Sequence, residues 1–244
     1  MKPQCAMVLA AGLGTRMRPL TDELPKPLLR LGGRTLLDHT LDRLAAAGVE
    51  RVVVNAHWRA ERLAEHVAAR QGKPEVVLQH EPELLDTGGA VRKALASGAL
   101  RGEAFYIVNG DAFWLDGPKP ALAALGRMFV PGQTDFVLLL HPTVHARGEV
   151  GLGDFFLDPL GCVRRRGERE IAPYVFTGVQ IASSRAFADA PDGAFSMNLL
   201  WDHAIAAQRL RGVVHDGLWF HLSTPEDLAV AEACLRAGVI GESR

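Results

Sequence analysis

The sequence predicts an α/β fold with a mostly parallel central sheet, on three observations. Apolar runs alternate with amphipathic segments through the first half of the 244 residues. The first apolar run empties into a loop of glycines and cations. No long linker, repeat or low-complexity tract divides the chain. Strand–helix alternation of this kind gives parallel strands joined by right-handed crossovers, with helices on both faces. With 48% hydrophobic residues the chain can bury a substantial core without staples.

The elements follow in order. Strands are expected at 6–10, 51–55, 75–79 and 104–109, with helices at 36–47, 59–70 and 89–97 between them. In the first helix Thr35 and Asp38 form a capping start, Leu37, Leu41 and Leu44 supply an apolar stripe, and Gly48 marks the stop. A helix at 119–128 then leads into a strand at 135–140, and the Gly-rich segments 148–153 and 161–167 predict antiparallel pairs. A strand at 175–182, a helix at 197–210 and a short strand at 213–215 follow. Thr224-Pro225-Glu226-Asp227 places Thr at the N-cap, Pro at the first helical position and acids in the first turn. That last helix is expected to run to about Arg236, with Gly238 beyond. The organisation expected is one domain over 1–244, with an inserted lobe at about 142–197.

Composition narrows the function. A formal net charge of −1 gives no global attraction to nucleic acid or anionic lipid. The basic cluster Arg164-Arg165-Arg166 with Arg169 is interrupted by Gly167 and Glu168 and reads as a solvated hairpin tip. Three cysteines, widely spaced and without a C-x-x-C pair, argue against a metal knuckle or disulfide framework and fit a reducing cytoplasm. His141 and His145 have helical metal spacing, but Pro142 intervenes and no third ligand is near. No signal peptide or membrane span is expected.

The most informative stretch is Val8-Leu9-Ala10-Ala11-Gly12-Leu13-Gly14-Thr15-Arg16-Met17-Arg18-Pro19-Leu20-Thr21, followed by Pro25-Lys26-Pro27. Glycines let backbone N–H groups converge on an anion, and the cations add charge. The spacing is not that of a P-loop, and Met17 stands where a dinucleotide fingerprint needs its third glycine. The two prolines discourage helix and predict that Lys26 is presented from an extended segment. Ligands in open parallel sheets bind beyond the carboxyl ends of the strands. The glycine loop and Asp111, in Val108-Asn109-Gly110-Asp111, would both lie at that rim.

Residues 8–27 resemble the signature of sugar-1-phosphate nucleotidyltransferases, and the similarity runs from Cys5 to Ala237. Supporting pieces are Asn55-Ala56-His57-Trp58, Leu85-Asp86-Thr87-Gly88-Gly89, Phe176-Thr177-Gly178 and Trp219-Phe220-His221-Leu222-Ser223-Thr224-Pro225. Within that superfamily the chain most resembles the short N-acetylmuramate-1-phosphate uridylyltransferases of cell-wall recycling. The resemblance implies a Rossmann-like three-layer fold with a small antiparallel substrate lobe. It also implies a nucleoside triphosphate (UTP) and a sugar 1-phosphate as partners, Mg²⁺ as cofactor, and a cytoplasmic monomer or small homo-oligomer. The open alternatives are guanylyl or thymidylyl transfer to mannose- or glucose-type phosphates, and a regulator that binds nucleotide sugars without turnover.

The implied reaction joins two polyanions, so fixed positive charge and positioning dominate. Arg16 is the first catalytic candidate, as a planar fork for the β/γ-phosphates, and Lys26 the second, as a point charge. Arg18 reads as a local ion-pair partner. Gly12, Gly14 and Thr15 resemble the triphosphate cradle, with Ala10 and Ala11 beside the base. Asn109 and Gly110 are expected near ribose or phosphates. Gly88 resembles the segment that approaches the base, with N-capping by Thr87 as a rival explanation. Asp111 is the metal candidate, since Mg²⁺ takes carboxylate, phosphate and water oxygens. Where the family commonly has Trp-x-Asp-x-Gly-Thr this chain has His221 in place of the aspartate. Three readings stand: His221 binds metal, His221 touches phosphate, or Asp111 holds the metal with triphosphate oxygens. For the sugar, the candidates are Asp154, Thr177, Gly178 and Asn198, each of which is also a plausible turn residue.

Overall fold

The computed structural model describes residues 1–237, so Gly238 lies outside the described residues. The first half contains β1 (Cys5–Leu9), β2 (Arg30–Leu31), β3 (Arg34–Thr35), α1 (Leu36–Ala46), β4 (Arg51–Ala56), α2 (Ala60–Ala69), β5 (Glu75–His80), α3 (Asp86–Ala96) and β6 (Ala104–Asn109). The second half contains β7 (Phe113–Leu115), α4 (Ala121–Met128), β8 (Phe136–Pro142), β9 (Phe155–Leu157), β10 (Val163–Arg165), β11 (Tyr174–Ser183), α5 (Met197–Ala206), β12 (Leu210–Val214), β13 (Leu218–Phe220) and α6 (Pro225–Arg236). Among the described residues no helix is long and apolar enough to cross a membrane.

One nine-stranded sheet organises the described residues. β1 pairs in parallel with β4 on one side and β6 on the other, and β5 extends the β4 edge in parallel. β11 runs antiparallel between β6 and β8, and β12 lies parallel to β8. The chain leaves β1 toward β4 and β5, then returns to β1's other side as β6. That reversal is a topological switch point, where the loops after β1, β4 and β6 diverge and leave a crevice.

Strand alternation sends residues to two cores. Ala6, Val8, Val52, Val54, Tyr106 and Val108 meet the α1 stripe of Leu37, Leu41 and Leu44. Met7, Val53, Phe105 and Ile107 face the opposite way and meet Ala90, Val91 and Ala94 of α3. A strand covered on both faces reads as a continuous apolar run, which is why the parallel strands were legible. A third, smaller core gathers Met17, Leu31, Leu36, Phe113, Phe220 and Leu222 under the ribbons β2–β3 and β7–β13. Met17 is fully buried there and ties the glycine loop to the body of the fold.

Several expectations need correction. The segment 148–153 is not a strand; the antiparallel pair is β9–β10, and β9 joins the main sheet through Phe155 opposite Tyr174. The lobe strands therefore continue the same sheet. The helix expected at 89–97 begins earlier, at Asp86. The helix expected at 197–210 stops at Ala206, because Gln208 turns left-handed (φ 57°), and β12 starts at Leu210. Lys26 is not extended: Lys26–Leu28 form one 3₁₀ turn, closed by Leu28 N–H donating to Pro25 O at 2.9 Å. Pro27 fits because a short turn does not need its missing N–H, and its ring favours the required φ.

α3 crosses the chain at 193–195 at its glycines. A Cβ on Gly89 would overlap the Gly193 carbonyl oxygen, and one on Gly88 would overlap the Phe195 ring. Replacing a helical glycine by alanine gains about 1 kcal/mol of propensity, whereas overpacking against backbone costs about 1–3 kcal/mol. Gly89→Ala is expected to lower the thermal unfolding midpoint by a few degrees despite the better helix former. An unchanged or raised midpoint in calorimetry contradicts that close crossing.

Candidate active site

The crevice at the switch point is a cavity of about 520 Å³. Its near side is the loop after β1. Gly14 adopts φ 63°, and a Cβ there would lie 3.0 Å from Thr21 Cγ2. Thr21 Oγ1 donates to Gly14 O at 2.8 Å, and Trp58 Nε1 donates to Thr21 O at 3.2 Å. A Cβ on Gly12 would meet nothing within 4 Å, so that backbone faces open space. Arg16 is exposed at the mouth, and Arg18 pairs with Asp22 at 3.4 Å.

The opposite wall is the end of β6. Lys26 Nζ donates to Asp111 Oδ2 at 2.6 Å, joining the two walls. The lysine side chain is 12% exposed and the aspartate 40%. Gly110 N–H donates to Leu9 O at 2.8 Å, and a Cβ at Gly110 would come 2.9 Å from Pro27 Cγ. Only a residue without a side chain lets the Lys26 turn sit this close to β6.

The far end is a buried polar network. Ala10 N–H donates to Asn55 Oδ1 at 2.6 Å, and Asn55 Nδ2 donates to Glu81 Oε1 at 3.0 Å. Gln79 Nε2 reaches the same oxygen at 3.1 Å and Ala90 O at 3.0 Å. His57 Nδ1 lies 2.7 Å from Glu81 O. Asp86, with φ 57°, and Thr87 complete this end.

The structure brings together Ala10, Ala11, Gly12, Gly14, Thr15, Arg16, Lys26, Asn109, Gly110 and Asp111 around one cavity. Gly88 is not in the wall. Its N–H donates to Phe195 O at 2.9 Å, so its missing side chain serves packing. Thr87 does not cap α3; its Oγ1 accepts from Met197 N–H at 2.9 Å. Gly178 stands behind Asn109, where a Cβ would lie 3.0 Å from Asn109 Cβ. Asp154, Thr177 and Asn198 do not line the cavity. Asp154 Oδ2 accepts from Phe176 N–H, Thr177 Oγ1 donates to Leu139 O, and Asn198 accepts from Arg165. Sequence reasoning missed Asn55, Glu81, Asp86 and Ser223 as wall residues. Asn55 lay in a quoted motif; Glu81 carried only the weak signal of an acid just past a strand.

His221 sits one step behind the wall, its Nε2 2.8 Å from Ser223 Oγ. Ser223 is held by the α6 capping box, Asp227 Oδ2 accepting from Ser223 N–H at 2.9 Å and Thr224 N–H at 2.8 Å. Burial lowers the His221 imidazole below its ordinary value, against the raising influence of Asp111 and Asp227. Among the described residues no three His, Cys, Asp or Glu side chains converge into a metal cage. Asp111 supplies one hard, partly exposed carboxylate beside the glycine loop. That donor set fits a divalent ion completed by phosphate and water oxygens, and does not fit a resident ion held by protein alone.

A nucleotidyl transferase family model matches residues 5–127. The chain is 43% identical over 238 residues to the N-acetylmuramate alpha-1-phosphate uridylyltransferase of Caulobacter vibrioides, covering 96% of this chain and 97% of that one. It is 31% identical to the Neisseria meningitidis serogroup B protein of the same name, over 93% of this chain and 96% of the relative. Among solved structures, UDP-glucose pyrophosphorylase complexed with UDP-glucose superposes with a TM-score of 0.77, covering 96% of this chain and 98% of that one. At 14% identity that likeness shows the fold.

Behind His221 runs a string of rings. Trp219 lies 5.7 Å from His221, His141 6.0 Å from Trp219, and His215 5.9 Å from His141. His141 is 2% exposed, and neither ring nitrogen has a hydrogen-bond partner among the described residues. Burial holds His141 and His215 below the ordinary histidine value. Groups with depressed folded values give stability that is full above the unfolded value near 6.5 and is lost progressively as pH falls from there through the folded values. The unfolding midpoint is therefore expected to be flat above about pH 7.5 and to drop progressively as pH falls below about 6.5. His141→Met should shrink that drop, and a midpoint equally pH-sensitive in the variant would acquit His141.

Proposed function

Because this chain belongs to the nucleotidyl transferase family and is a nucleotidyltransferase, we propose that its donor is UTP and its acceptor N-acetylmuramic acid 1-phosphate. The observation that carries this reading is the end-to-end match to the C. vibrioides enzyme. The C. vibrioides and N. meningitidis relatives, which align over more than nine-tenths of this chain, are both named N-acetylmuramate alpha-1-phosphate uridylyltransferase, which favours the reading over guanylyl or thymidylyl transfer. The cavity has the charges that transfer needs, which argues against a purely regulatory role. The reaction would belong to cytoplasmic recycling of cell-wall sugars.

In this reading a sugar-phosphate oxygen attacks the α-phosphorus of UTP, its bond to the β-phosphate oxygen breaks, and pyrophosphate leaves. A phosphate monoester has its second pKa near 6, so the nucleophile is already largely dianionic. The chain then needs no general base. Its work is to hold two polyanions in line and stabilise charge at the five-coordinate phosphorus. Gly12, Gly14 and Thr15 would present backbone N–H groups to the triphosphate. Arg16 would hold the β/γ-phosphates and follow the departing pyrophosphate. Lys26 would exchange its contact with Asp111 for a phosphate oxygen. The end with Glu81, Asp86 and Thr87 would face the base, and Gly178, standing behind Asn109, would shape the wall on the sugar side without touching the sugar itself. A divalent ion, Mg²⁺ in our proposal, would be held by Asp111 with triphosphate oxygens and supplies charge neutralisation on the phosphates. Because His221 Nε2 faces Ser223 Oγ, the reading with Asp111 as sole protein ligand is preferred.

Pyrophosphate release should be fastest, by kcat/KM, for UTP with N-acetylmuramic acid 1-phosphate across four nucleoside triphosphates and a panel of sugar 1-phosphates. A clear preference for GTP with mannose 1-phosphate contradicts the substrate assignment. Arg16→Ala and Lys26→Ala should each lower kcat by about 10²–10³-fold, the usual loss for one preorganised charge, while unfolding midpoints stay near wild type. Asp111→Ala should abolish turnover without full rescue by excess Mg²⁺, whereas His221→Asp should retain it. Full, chelator-sensitive turnover in Asp111→Ala places the metal elsewhere.

A further inference from the structure

N-acetylmuramic acid is N-acetylglucosamine with a lactyl ether on O3, and that ether ends in a carboxylate. An enzyme that favours the first sugar over the second needs a cation beside the sugar, since a carboxylate taken from water unpaired is costly. Two contact routes leave the cavity wall on the side of the sheet that carries α3 and α5, and both end at one cation.

The first route starts at Asn109, which alternation places on the same face as Phe105 and Ile107. Gly178 stands against Asn109. Two residues earlier, Phe176 packs edge-on to Trp201 with centroids 4.9 Å apart, and Phe155 meets Trp201 at 6.0 Å. The Arg165 guanidinium lies 5.4 Å from the Phe155 centroid and 5.7 Å from that of Trp201. The second route starts at Thr87, which accepts from Met197 N–H at 2.9 Å. The next residue, Asn198, accepts from Arg165 Nη2 through Oδ1 at 3.0 Å.

Resting on the uridylyltransferase reading above, we propose that Arg165 reads the lactyl carboxylate and so separates N-acetylmuramic acid 1-phosphate from N-acetylglucosamine 1-phosphate. Its side chain is held for the task. Asp202, one turn after Asn198 on α5, accepts from Nε. The two rings and Asn198 fix the plane, and Nη1 makes no hydrogen bond among the described residues. With Nε and Nη2 anchored on Asp202 and Asn198, the rigid plane of the guanidinium leaves Nη1 to donate a charge-assisted hydrogen bond to a carboxylate. The neighbouring arginines are committed elsewhere. Arg164 lies over Phe156, on the other face of the hairpin, and donates to Glu170. Arg166 spends its guanidinium on the carbonyl oxygens of Gly153, Gly167 and Glu168. A purely structural Arg165 would only staple the hairpin to α5, and the two roles separate in kinetics.

The test is steady-state turnover of UTP with both sugar phosphates by wild type, Arg165→Met and Arg165→Lys, with unfolding midpoints recorded. Wild type should prefer the lactyl sugar. In Arg165→Met the preference ratio should fall about 10- to 100-fold, the usual worth of a charge-assisted hydrogen bond, chiefly through KM. Arg165→Lys, which keeps the charge, should restore part of the ratio and remains the readout if Arg165→Met does not fold. A wild-type preference that survives in both variants overturns the role of Arg165 and leaves the substrate assignment standing. Equal losses on both sugars mark a staple and also overturn it. A wild type indifferent to the lactyl group overturns the proposal together with the reading on which it rests.

Discussion

The contact on which the cavity depends is the 2.6 Å ion pair between Lys26 and Asp111. It joins the loop that leaves β1 to the loop that leaves β6, the two walls of the crevice at the sheet's reversal. As a stabilising interaction such a partly exposed pair is modest, because Asp111 keeps much of its hydration. Its importance is positional. It keeps a cation and an anion within one hydrogen bond of each other at the place where phosphates and a metal ion would meet. Gly110 makes the approach possible, since any side chain there would strike Pro27 and the Leu9 carbonyl.

Rigidity around that pair comes from two sources of different kind. One is apolar: Met17 plugs the third core, so the glycine loop is anchored three residues beyond Gly14 while Gly12 stays open. The other is polar: Asn55 satisfies the Ala10 N–H and passes on to Glu81, which Gln79 also engages. Buried polar groups left unpaired are costly, so a satisfied network specifies one arrangement. A site that works by preorganised charge needs that fixity, because dipoles that must reorient during the reaction stabilise less.

The parallel strands and the glycine loop were legible because each has a local cause. Double-sided burial writes an unbroken apolar run, and close backbone approach writes glycine. The convergence of Gly12, Arg16, Lys26 and Asp111 followed from the rule that such sheets bind ligands at their carboxyl rim. What escaped was set by contacts remote in sequence. The 3₁₀ turn at Lys26 exists because Pro25 and Pro27 suit a single turn as well as an extended segment. The early start of α3 at Asp86 rests on a left-handed residue that propensity disfavours. Asp154 and Thr177 looked like sugar ligands, yet their polar atoms serve Phe176 N–H and Leu139 O across neighbouring strands. Glu81 gave almost no signal, since its partners Asn55 and His57 lie on another strand and its loop.

The most direct test of this account is a crystal structure with Mg²⁺ and a UTP analogue that resists transfer. The account predicts the triphosphate on the backbone of Gly12 to Arg16, the metal on Asp111, and the Lys26 ammonium moved from the carboxylate to a phosphate oxygen. A nucleotide bound outside this cavity, or a metal bound elsewhere while Lys26 and Asp111 stay paired, would contradict it.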